Sequence, residues 1–309
     1  MENKNLTLHK IFFLILTSAL TLGLILFFLI TFLNKEDFIK KSTEEHEQIF
    51  GLTIDDTWYD DIELNDVIEG LKNLGVRPTV RMVMSREMEP EEYVELFKAV
   101  QKHADIMACP VDSSEMINFK DTNSYVERFK KSYEELSPYV SIWEVGNEIN
   151  GTEWIKQTPE LIVDKVSFAA EFIKSKDEKI ALTLYCTDSP RQDMIEWAEE
   201  YIPAGLTESA DYCFVSYYED DNYGYLPEWK SIFKELGKIF PTACLGIGEC
   251  GNTAENATRE SKIEMAKSYY QMPKHHERFV GGYFWWTWVT DCIPYQGNEV
   301  YEAIKSCRR

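Results

Sequence analysis

From residue 51 onward the chain alternates two kinds of apolar pattern. Short runs rich in branched and aromatic residues, with no polar face, cover 51–55, 78–84, 105–111, 141–148, 180–186, 211–218, 244–249 and 281–288. Each is followed by a longer stretch, at 61–75, 90–104, 124–136, 159–175, 193–202, 226–240, 260–272 and 298–306. In these, apolar residues recur at helical spacing, as in Leu71/Leu74 and Ile232/Leu236. A strand covered on both sides needs no polar face, whereas a helix lying on a sheet needs one apolar stripe, so the pattern predicts buried parallel strands with covering helices. Eight such pairs, in a length close to the roughly 250 residues typical of the fold, predict an α/β protein built as a single (β/α)8 barrel over 51–309. The rival is an open doubly wound sheet. That fold usually announces itself by a Gly-rich phosphate turn after a strand, and neither GxGxxG nor GxxxxGK[ST] occurs.

The N-terminus breaks the alternation. Residues 11–33, IFFLILTSALTLGLILFFLITFL, carry no charge over a length that crosses about 30 Å of hydrocarbon as a helix. The small cluster Thr17-Ser18-Ala19 lies in mid-run, and the charged Asn34-Lys35-Glu36-Asp37 follows the end, so the segment reads as an uncleaved transmembrane signal anchor behind a tail at 1–10. Residues 34–50, charged and without Pro or Gly, read as a short helical stalk. Flanking lysines are balanced and set no orientation. Long domains translocate regardless of such charges, so the expectation is a barrel outside the cytoplasm, tied to the membrane through this helix.

A formal net charge of −21 excludes a partner that binds by neutralising phosphates, which argues against nucleic acid. The seven cysteines are an odd number and fall largely in or beside strands, as small buried hydrophobes do, although an exported domain could still form a disulfide. No CxxC or Cys/His spacing suggests zinc, and His275-His276 is too close a pair to bind one metal from a helix face. No cofactor or metal is called for. Oligomeric state has no signature in the sequence.

Catalytic residues of a (β/α)8 barrel sit at the C-terminal ends of its strands. There the fourth strand ends in Val145-Gly146-Asn147-Glu148, and the seventh in Gly246-Ile247-Gly248-Glu249. Two carboxylates facing one cleft can divide nucleophile and acid/base roles between them, provided they lie about 5 to 5.5 Å apart. Against an arbitrary Glu being an exposed loop acid, each of these follows a small or apolar run at the chemical rim. Arg81, inside the apolar second strand, needs an acid, and Glu144 shares the strand parity to supply one. Asp55-Asp56 and Glu219-Asp220-Asp221 could bind a divalent cation, making a metal-dependent hydrolase on Asp55, Asp56 and Asp220 a distant rival. Neither has calcium-loop spacing, and a solvated acidic rim is the plainer expectation.

These residues resemble a family. VGNE closing the fourth strand, Glu249 closing the seventh and Trp286-Thr287-Trp288 closing the eighth look like the clan A retaining glycoside hydrolases, with the resemblance covering residues 51–307. It implies Glu148 as acid/base, Glu249 as nucleophile and Asn147 as hydrogen-bonding the hydroxyl beside the reacting carbon. It also implies an Arg near the nucleophile, an alternative role for Arg81, and a Tyr bonded to Glu249, here Tyr218 or Tyr217. Many clan members carry His two residues before that Tyr; this chain has Ser216. The 145–151 segment, VGNEING, and the Ser216-Tyr217-Tyr218 tip are most similar to endo-β-1,4-galactanases, while the segments around Glu249 and Trp286 depart from that subgroup. Trp286 and Trp288 could stack on a sugar's apolar face or belong to the core, with Trp286 preferred as the floor of the reacting subsite. Trp58, Tyr223 and Tyr225 are rim contacts or plain loop residues. The whole implies a cofactor-free, retaining β-glycoside hydrolase with a carbohydrate substrate, anchored in a membrane. The alternative is a carbohydrate-binding barrel that has lost catalysis.

Overall fold

In a computed structural model of the chain, the described residues are 47–58, 61–188 and 193–308. The expected membrane helix at 11–33 and nearly all of the stalk lie outside them. Among the described residues no helix is long and apolar enough to cross a membrane.

Eight parallel strands close into a barrel in sequential order. They are β1 (Ile49–Ile54), β2 (Thr79–Val83), β3 (Asp105–Cys109), β4 (Ile142–Gly146), β5 (Ile180–Tyr185), β6 (Tyr212–Ser216), β7 (Cys244–Cys250) and β8 (Phe279–Trp285). The covering helices are α1 (Leu64–Asn73), α2 (Val94–Gln101), α3 (Thr122–Leu136), a short α4 (Thr152–Ile155), α5 (Pro159–Lys174), α6 (Met194–Tyr201), α7 (Ala204–Ser209), α8 (Trp229–Ile239), α9 (Arg259–Tyr270), a short α10 (Trp288–Cys292) and α11 (Glu299–Ser306). The expected barrel is thus found. Its first strand begins at Ile49, two residues inside the stretch expected as stalk, with the Phe50 ring 4.9 Å from that of Tyr270.

Helix starts follow local chemistry. Asp121 and Ser124 form a reciprocal capping box at α3, Thr258 and Ser261 do the same at α9, and Thr158 caps α5 with Pro159 in its first turn.

Strand alternation divides the core in two. Outward-facing residues pack under the helices. Inward-facing Met107, Ile142, Ala181, Phe214 and Phe284 plug the barrel, with the Phe214 and Phe284 rings edge to face at 5.4 Å. Two residues further along β4 and β5, still facing inward, come Glu144 and Thr183, whose side chains hydrogen-bond to each other. The interior therefore changes from apolar to polar toward the C-terminal ends of the strands, where the site lies.

The largest departure from the expected strands is at the eighth. The pattern predicts one strand over 281–288; β8 instead starts at Phe279 and stops at Trp285. Its middle is irregular, with Gly281, Gly282 and Tyr283 at φ of 89°, 92° and 61°, and the pairing with β7 shifts register there.

Candidate active site

Glu148 lies two residues past the end of β4, at φ 46°, in the left-handed region. Its carbonyl accepts from Gly151 N–H at 2.7 Å, which turns the chain across the barrel mouth. Its carboxylate accepts from Ser113 Oγ at 3.1 Å, and Ser113 is itself held by Trp154 Nε1 at 3.0 Å. Next door, Asn147 donates to Asp112 Oδ2 at 3.1 Å, while its own amide oxygen is buried with no hydrogen-bond partner.

Glu249 ends β7. Its backbone N–H donates to Ser216 Oγ at 3.1 Å, and its carboxylate accepts from Tyr218 OH at 2.8 Å. Arg81 Nη1 lies 2.8 Å from Glu249 Oε1, an ion pair in which neither atom makes an aligned hydrogen bond. Arg81 Nε donates to Glu144 Oε2 at 2.7 Å. Both roles weighed for Arg81 therefore hold at once: it satisfies a structural acid and borders the second candidate carboxylate.

Burial and charge separate the two glutamates. Glu148 is pushed well above the usual carboxylate range, by burial first and then by the charges of Glu249 and Asp112. Glu249 is raised too, by burial, but Arg81 and the Tyr218 hydrogen bond pull it back. Both glutamates lie at the C-terminal ends of their strands, and the charge of Glu249 adds to the rise of Glu148. Of the two, Glu148 is the better proton holder.

The predicted tyrosines part company. Tyr218 reaches Glu249, whereas Tyr217 is turned outward, its ring 5.7 Å from that of Trp229. The assignment of Tyr217 to the mouth is corrected by this alternation. Trp286 follows β8 at the mouth, partly exposed, its backbone N–H donating to Cys250 O at 2.8 Å. Trp288 is fully buried in α10 and faces α1, where a Cβ on Gly70 would come within 3.1 Å of its ring, so it is core rather than a sugar platform. Trp58 is likewise buried, its indole N–H bonded to Asp55 O at 2.6 Å. Tyr223 and Tyr225 are exposed.

Among the described residues no three His, Cys, Asp or Glu side chains cluster as metal ligands would. Asp55 and Asp220 instead accept hydrogen bonds from Thr57 and Thr253. Sequence reading missed Asp112, Ser113 and Trp154. The first two sit just beyond an apolar strand, the same signal that exposed Glu148, but Trp154 lies on a one-turn helix with no periodicity to betray it.

No protein-family model matches the chain, and no curated protein matches it. Solved structures do. A glucosidase from Croceicoccus marinus shares 15% identity at TM-score 0.55, over 83% of this chain and 63% of that one. A β-glucosidase from Thermotoga maritima, in complex with galacto-hydroximolactam, shares 13% at TM-score 0.55, over 79% and 89%. The exo-β-1,4-mannosidase Op5Man5 from Opitutaceae bacterium strain TAV5 shares 12% at TM-score 0.55, over 84% and 59%. The chain thus spans under two thirds of the first and third of these. At such identities the likeness is one of fold: the molecule is a (β/α)8 barrel of the architecture found in these glycoside hydrolases.

Proposed function

We propose that the protein is a retaining β-glycoside hydrolase acting on an oligo- or polysaccharide by double displacement, with Glu249 as nucleophile and Glu148 as acid/base. The observation that carries this is the asymmetry within one buried site. Glu249 is bordered by a guanidinium and a tyrosine hydroxyl, while Glu148 has no basic side chain hydrogen-bonded to it among the described residues and is driven toward its protonated form. An ionised carboxylate attacks the anomeric carbon. A protonated one delivers H⁺ to the departing oxygen, then removes a proton from the water that hydrolyses the glycosyl-enzyme.

Buried polar atoms without partners support a ligand here. Asn147 Oδ1 and Thr53 Oγ1 both lack a hydrogen bond among the described residues, and sugar hydroxyls would satisfy them. Neutral β-glucans, β-mannans and β-galactans are the substrate classes to try, because the connectors above the strands are rich in acids and would repel an acidic polysaccharide. The apolar segment 11–33 supports membrane anchoring with the barrel outside the cytoplasm.

Glu249→Ala tests the mechanism on aryl β-glucosides, β-mannosides and β-galactosides. Turnover of whichever is accepted should fall on the order of 10⁴-fold or more, and added azide, taking the place of the missing carboxylate, should restore part of it as glycosyl azide. A wild-type chain that binds sugars but turns none over would instead be a carbohydrate-binding barrel. Loss of activity to chelators would point to the metal-dependent rival.

A further inference from the structure

Tyr217 and Tyr218 are consecutive, so strand alternation sends them to opposite sides. Tyr218 goes to Glu249. Tyr217 goes to a cavity of about 810 Å³ outside the barrel, between the connectors that follow β6 and β7 and the flank of α9. That volume falls within the roughly 300–1,000 Å³ usual for small-molecule sites. Its apolar floor includes Tyr217, Trp229, Met265 and Tyr269, and its rim includes Glu219, Asp220, Asn252 and Asn256.

Three independent features mark it as a ligand site. Tyr217 is only 2% exposed, yet its hydroxyl has no hydrogen-bond partner. Asp220 Oδ1, on the same wall, is also buried and without one. Finally, three of the four large apolar side chains that stand out among the described residues, Tyr223 (88% exposed), Tyr225 (38%) and Leu226 (71%), belong to the connector after β6, one of the two that wall this cavity.

The lining chooses the chemistry. It holds no Lys or Arg among the described residues, which disfavours phosphates and acidic sugars. A purely aliphatic ligand would leave the carboxylates, the amides and both orphaned atoms unsatisfied. Aromatic rings under a rim of acceptors and amides match a neutral sugar, whose C–H faces stack while its hydroxyls donate. We propose that this groove is an accessory site for a neutral oligosaccharide. It lies one residue behind the Tyr218–Glu249 contact, and Asp220, bonded to Thr253 at 2.9 Å, links the connectors after β6 and β7. A chain held there lies next to the cleft that cuts it. This rests on the hydrolase reading for the choice of sugar but not for the existence of the site.

The test uses the full-length chain carrying Glu249→Gln to stop turnover, in a non-glycosidic detergent, titrated calorimetrically with cellohexaose and mannohexaose. Ser268→Trp, at an exposed position on α9, fills the groove and should weaken binding of the accepted hexasaccharide by about tenfold. Tyr217→Phe, which removes only the orphaned hydroxyl, should weaken it severalfold and serves as the check if the tryptophan disturbs folding. Binding equal to the parent in both variants, or no binding of either sugar by the parent, would overturn the proposal. So would binding of hexalysine that Ser268→Trp abolishes while sugar binding is untouched. The two readings fail separately: turnover of aryl glycosides with an inert groove keeps the hydrolase alone, and groove-dependent binding without turnover keeps the groove alone.

Discussion

Arg81 divides its guanidinium between two acids, Glu144 at 2.7 Å and Glu249 at 2.8 Å, and all three side chains are buried. Replacing it with Met would leave both acids without their counter-charge, at a cost of about 3–5 kcal/mol. Urea unfolding of Arg81→Met should show that loss, together with a higher pKa for Glu249. The pH profile follows from the neighbouring acid. In the proposed mechanism Glu148 works protonated, so kcat/KM should fall on the alkaline side as pH rises through its raised folded value, and Glu148→Gln should lose that limb along with most activity. Ser113 donates to the carboxylate and so lowers its pKa; Ser113→Ala should move the alkaline limb upward. The same shift has a stability sign. A glutamate that binds its proton more tightly when folded contributes stability that is complete below the unfolded pKa and lost as pH rises through the folded one. Thermal midpoints of wild type and Glu148→Gln should therefore diverge with rising pH, the variant becoming relatively more stable. A constant difference across the range would mean that Glu148 is not raised.

At the scale of elements, the irregular β8 is where the barrel is most sensitive. Gly282 sits at φ 92°, and a Cβ there would lie 2.0 Å from Ile247 O on the neighbouring β7. Gly282→Ala combines a left-handed penalty with a clash against backbone and should destabilise by at least about 2 kcal/mol, lowering Tm by roughly 4–8 °C. A midpoint within a degree of wild type would show that β7 and β8 can separate there at no cost. The same stretch shows what a sequence can and cannot disclose. Periods of two and 3.6 were legible wherever an element buries one consistent face, which is why every strand and its main helix were recovered from β1 to α11. An aromatic run from Tyr283 to Trp288 has no period, because its residues pass from barrel wall to mouth to helix core within six positions. So Trp288 was offered to the sugar although it is packed against α1. Tyr217 and Tyr218 differ for a related reason: which of two adjacent tyrosines faces inward depends on the last paired residue of β6, and a one-residue error in a strand end reverses the answer. Glu148 and Glu249 escape that ambiguity because each follows a run of small or apolar residues at a rim set by counting strands.

For the molecule as a whole, the open question of cysteine chemistry is answered by size. A barrel of this length buries enough apolar surface to hold together without cross-links, whereas small exported domains depend on them. All seven cysteines are thiols, with no disulfide joining any pair, and all but Cys244 are buried. Burial also suppresses their reactivity. The Cys186 thiol is pushed up to about 12, and Cys109, Cys250 and Cys292 well above the ordinary value, so little thiolate exists at neutral pH to attack an oxidant or a partner sulfur. An extracytoplasmic setting is then compatible with a fully reduced barrel, since exclusion from solvent protects what a reducing compartment otherwise would. Titration with a thiol reagent should count seven groups in the denatured chain and at most one, Cys244, reacting promptly in the native one. Thermal midpoints should be the same with and without reductant. A denatured count of five or fewer, or a midpoint that drops on reduction, would mean that the protein adds a staple to a core that does not need one.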